Sequence, residues 1–67
     1  MNLILCDDDK AFLDKLEIRI RGLCQEHGIA VEMESYTSAK EMLEGIKNLD
    51  EISGFFIDID MPVSEWI

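Results

Sequence analysis

Two short acidic runs hold the residues best suited to chemistry. Asp7-Asp8-Asp9 follows the apolar run Leu3-Ile4-Leu5-Cys6, and Asp58, with Asp60 two positions on, follows Phe55-Phe56-Ile57. A carboxylate is a hard oxygen donor, so these residues suit binding of a divalent cation. If both runs end neighbouring strands of one parallel sheet, Asp7, Asp8 and Asp58 converge. Three carboxylates that close cannot all stay ionised without a cation, because each raises its neighbours' pKa. An all-oxygen set without His or Cys best matches Mg²⁺, which keeps open positions for water and a substrate phosphate. The plainer reading of acid-rich strand ends is a set of turns and helix caps. Asp9 suits that plainer role, as an N-cap.

Other chemistries have little support. Cys6 and Cys24 stand 18 positions apart with a single histidine, His27, and no CxxC pair, so a structural zinc lacks a ligand set. The two cysteines read as buried, reduced thiols of a cytosolic protein. Against 15 Asp+Glu there are only 6 Lys+Arg, a net charge of −9. That balance disfavours nucleic-acid phosphates and anionic membrane surfaces, and invites a cation or a basic protein face. The residues before Cys6 lack the basic segment and apolar stretch of a secretion signal. No apolar run reaches the roughly 18 residues that would cross a bilayer. The expected location is cytoplasmic.

The elements that must position the acids follow from periodicity. The 67 residues allow one domain at most, and 48% hydrophobic with 31% charged residues is a globular composition. A chain near this size buries only about 60% of its unfolded surface, so its stability is marginal. Leu3 to Cys6 reads as a strand buried on both faces. From Lys10 to His27 the period is helical, with Phe12, Leu13, Leu16, Ile20, Leu23 and Cys24 in one arc of about 120°. Asp9 caps its start and Gly28 its end; Ile18 falls outside the arc. Ile29, Val31 and Met33 alternate with Ala30, Glu32 and Glu34, which predicts an edge strand with one wetter face. Ser38-Ala39-Lys40-Glu41 is a capping-box pattern that opens a second helix, whose Ala39, Met42, Leu43, Ile46 and Leu49 share an arc. Gly45 weakens this helix, and Asn48-Leu49-Asp50 ends it. Phe55-Phe56-Ile57 is the third strand. The order β-α-β-α-β, with helices of this length, implies right-handed crossovers and a parallel α/β sheet. Ligands of such sheets bind beyond the carboxyl ends of the strands, where strand order reverses. If the third strand lies beside the first, that point falls between Asp7-Asp8 and Asp58.

These residues resemble a family. Leu3-Ile4-Leu5-Cys6-Asp7-Asp8-Asp9 before a helix, then Phe55-Phe56-Ile57-Asp58-Ile59-Asp60-Met61-Pro62, is similar to the first half of a response-regulator receiver domain. In that family an acidic pair follows the first strand, and a phosphate-accepting aspartate ends the third in a D-x-x-[ML]-P setting. The Tyr36-Thr37-Ser38 turn also fits, and the first strand is similar to regulators that carry a LytTR-type DNA-binding domain. The resemblance implies a flavodoxin-like, doubly wound sheet truncated to β-α-β-α-β with strand order 2-1-3. It implies that Asp58 takes a phosphoryl group from a sensor histidine kinase. It also implies that Asp8 and Asp58 bind Mg²⁺ directly, Asp7 through water, and Asp60 through its backbone carbonyl. The chain would then be a phosphoacceptor of a two-component system and not an enzyme.

The departures are specific. The chain covers about half of a receiver, and the family's later Ser/Thr and Lys, which hold the phosphoryl group, fall on strands beyond it. Val63-Ser64-Glu65-Trp66-Ile67 does not follow the family's glycine-rich continuation. The expectation is a partial receiver over residues 1–67 with an incomplete switch, whose third strand becomes an edge and drives self-association into a homo-oligomer. Two rivals stand beside this reading. Ile57-Asp58-Ile59-Asp60 also resembles the first motif of haloacid-dehalogenase-type phosphohydrolases, with Asp58 as nucleophile and Asp60 as general acid. The other rival is a non-catalytic assembly piece with a vestigial acidic pocket.

Overall fold

The computed structural model describes residues 1–58. Three strands and two helices alternate along the chain: β1 (Asn2–Cys6), α1 (Lys10–Glu26), β2 (Glu32–Tyr36), α2 (Ala39–Gly45) and β3 (Gly54–Ile57), with a 3₁₀ turn at Leu49–Glu51 before β3. All pairings are parallel and the sheet order is β2-β1-β3. The chain is thus an α/β protein consistent with a truncated flavodoxin-like fold, with the strand order expected from sequence. β1 is central, which is why four of its five residues are buried and its run is continuously apolar. Register aligns Cys6 with both Tyr36 and Ile57, so the three strands end at one level.

The reversal of direction at β1 sets the layering. The first crossover leads to one side of β1 and the second leads back past it, so two right-handed crossovers put α1 and α2 on opposite faces. Ile4 and Cys6 pack with Ala39 and Met42 of α2, and Tyr36, Ile46, Ile52 and Ile57 border that cluster. By the alternation of a strand, Leu3 and Leu5 face the other way, where α1 buries Leu13 and Cys24. Leu5 is fully buried; a side chain of this type contributes about 2 kcal/mol through burial. Neither cysteine forms a disulfide, and both are buried, as their small apolar character predicts.

Local signals explain where the helices start. The Asp9 side chain accepts the N–H of Phe12 and that of Ser38 accepts the N–H of Glu41, each satisfying one amide that lacks a helical partner. The stop of α1 is a Schellman turn: Gly28, at φ 67°, donates to the Gln25 carbonyl, and Ile29 donates to Cys24. His27 is the C-cap.

Three expectations from periodicity need correcting. β2 begins at Glu32 and not at Ile29, because the N–H of Ile29 is spent on closing α1. α2 stops at Gly45, with Ile46 already extended, so the predicted run to Leu49 breaks into a helix and a separate 3₁₀ turn. The apolar arcs are also wider than the surface available to cover. Phe12, Leu23, Leu43 and Leu49 are all exposed, because three strands offer a narrower platform than either arc. Ile18, outside the arc, is solvent-facing as expected. Asp60, Met61, Pro62 and Trp66 lie outside the described residues, and with them the predicted ligand carbonyl of Asp60.

Candidate functional site

The acids sit where the backbone ladders run out. The N–H of Asp7 donates to the Tyr36 carbonyl at 3.1 Å, and the N–H of Asp58 donates to the Cys6 carbonyl at 2.9 Å. Each bond extends its ladder one residue beyond the last strand pair, so the positions of Asp7 and Asp58 are fixed by main chain. Asp8 follows Asp7 into the loop before α1 and is exposed, whereas Asp7 and Asp58 are half-buried. One carboxylate oxygen from each of Asp7, Asp8 and Asp58 lies within 4.8 Å of the others. Three of the sequence-predicted site residues are therefore brought together, and Asp9 is separated from them as the cap of α1.

Electrostatics of the cluster are strained. The strongest single influence on Asp7 is the Asp9 N–H, which donates to its Oδ1 at 2.9 Å and favours the ionised form. Burial, the Asp58 charge, a hydrogen bond with Asp8 and the Asp8 charge act the other way. Together they outweigh it, and the Asp7 pKa is raised. Crowding of like charges is part of that rise, after burial. A divalent cation would relieve that crowding.

The donor set fits such an ion. It consists of hard carboxylate oxygens only, and in an octahedron with metal–oxygen bonds of about 2.1 Å ligand atoms lie about 3 to 4.2 Å apart. The observed upper limit of 4.8 Å lies close to that range. Asp7, Asp8 and Asp58 are the residues that would hold the ion.

Sequence reasoning missed the groove beside the acids. Between α1 and β3 runs a depression of 330 Å³, lined by Phe12, Leu13, Leu16 and Phe56 and ending at Asp7 and Asp58. The signal lay in the N-terminal end of the α1 arc, where Phe12 and Leu16 have no strand of full width beneath them. A larger groove of 520 Å³ lies at the other end of the sheet, among Asn2, Glu32, Glu34, Lys47 and Ile52. None of the clustered carboxylates lines it. Among the described residues no helix is long and apolar enough to cross a membrane. No protein-family model, curated protein or solved structure significantly matches the chain.

Proposed function

We propose that the chain is a phosphoacceptor signalling module of the receiver type, with Asp58 as the residue that becomes phosphorylated. The observation that carries this reading is the convergence of Asp7, Asp8 and Asp58 at the carboxyl ends of adjacent parallel strands, the position where open α/β sheets bind ligands. The resemblance of Asp58 through Pro62 to the receiver phosphorylation motif supports it.

The chemistry asks little of the protein beyond positioning. A carboxylate oxygen of Asp58 attacks the phosphorus of a phosphohistidine on a sensor kinase, forming an O–P bond as the N–P bond breaks. The electron pair of that bond leaves with the imidazole, which takes up a proton from solvent. Main-chain anchoring of Asp58 to Cys6 aims the nucleophile. Asp7, Asp8 and Asp58 would hold Mg²⁺, and the ion when bound supplies positive charge for the transferring group. Reduced, buried cysteines and a kinase partner fit a cytoplasmic setting.

The test is incubation with Mg²⁺ and a small phosphodonor such as acetyl phosphate, followed by mass spectrometry. The expected result is one added phosphoryl group, localised to Asp58 and absent from Asp58→Asn. Continuous release of inorganic phosphate would instead favour the hydrolase reading. No reaction at all would favour an assembly piece with a vestigial pocket.

A further inference from the structure

We draw no further inference here: the strongest candidate, the 520 Å³ groove beside β2 that Glu32, Glu34 and Glu51 line together with Ile46 and Ile52, is an acid-rimmed surface, and nothing in the structure shows what covers it.

Discussion

The backbone N–H of Asp58 donates to the Cys6 carbonyl at 2.9 Å, one residue beyond the last β1–β3 pair. Asp58 is therefore placed by main chain, and its side chain is left to crowd against Asp7 and Asp8. Substitutions there can change the chemistry of the cluster with little effect on the sheet.

Divalent-cation binding follows from that separation. Addition of Mg²⁺ should raise the melting temperature of the chain, since an ion that binds only the native state at ten times its Kd stabilises it by about 1.4 kcal/mol. Asp58→Asn and Asp8→Asn should each fold normally in the absence of metal and lose most of that rise. Thermal melts with and without MgCl₂ make the comparison. An undiminished rise in Asp58→Asn would place the ion elsewhere.

The pH dependence has a definite sign. Asp7 has a raised pKa in the native state, mainly because burial, Asp58 and Asp8 together outweigh the Asp9 N–H that lowers it. The folded chain thus holds this proton more tightly than the unfolded chain. The stabilisation is fully present below the ordinary carboxylate pKa of about 3.9 and is lost as pH rises through the raised value. Asp7→Asn keeps an Oδ1 acceptor for the Asp9 N–H but removes the charge. Without divalent cations it should be more stable than the unmodified chain at neutral pH. The difference should shrink toward zero as pH falls to about 4. Denaturant titrations of both chains across that range give the answer, and a less stable Asp7→Asn at neutral pH would contradict it.

Much of this arrangement was legible in the residues because it depends on short-range chemistry. A central parallel strand must be apolar on both faces, so Leu3 to Cys6 announced β1; Asp9, Ser38 and Gly28 marked helix ends because few other residues satisfy those backbone groups. The carboxylate cluster was readable once the strand order placed β3 beside β1. What was not legible depends on tertiary accounting. The amide of Ile29 has two possible uses, and the Schellman turn claims it before β2 can. The arc from Ala39 to Leu49 has helical spacing throughout, yet Gly45 ends α2 beneath Tyr36. Spacing cannot show how wide a sheet the arc will meet, which is why Phe12 and Leu43 were expected inside and stand outside.

The cap of α1 offers a quantitative check on how marginal the fold is. Asp9→Ala removes the acceptor for the Phe12 N–H, 3.1 Å away, and should cost about 1 kcal/mol. A chain of this size has little stability in reserve, so the loss should be visible as a clear fall in melting temperature. Asp9→Ser, which keeps a capping oxygen, should recover most of it. Because Asp9 is not one of the clustered carboxylates, neither variant should alter the Mg²⁺-dependent rise expected of the unmodified chain.

Tyr36 packs directly against Gly45, the last residue of α2. A Cβ built on Gly45 would lie 2.5 Å from the Tyr36 hydroxyl and 2.8 Å from its ring, and that ring is held by a 2.8 Å hydrogen bond from the hydroxyl to Glu34. Gly45→Ala should therefore destabilise by about 1 to 3 kcal/mol through overpacking, against a gain in helix propensity of at most about 1 kcal/mol at an interior position and less at this terminal one. Tyr36→Ala on its own removes packing against the cluster of Ile4, Cys6, Ala39 and Met42 and should also destabilise. The double variant is the informative one. With the ring gone the alanine has room, so the combined cost should be smaller than the sum of the two single costs by about 1 kcal/mol or more, the coupling expected of residues in direct contact. Strictly additive costs in a denaturant double-mutant cycle would mean that the close approach of Tyr36 does not make Gly45 intolerant of a side chain.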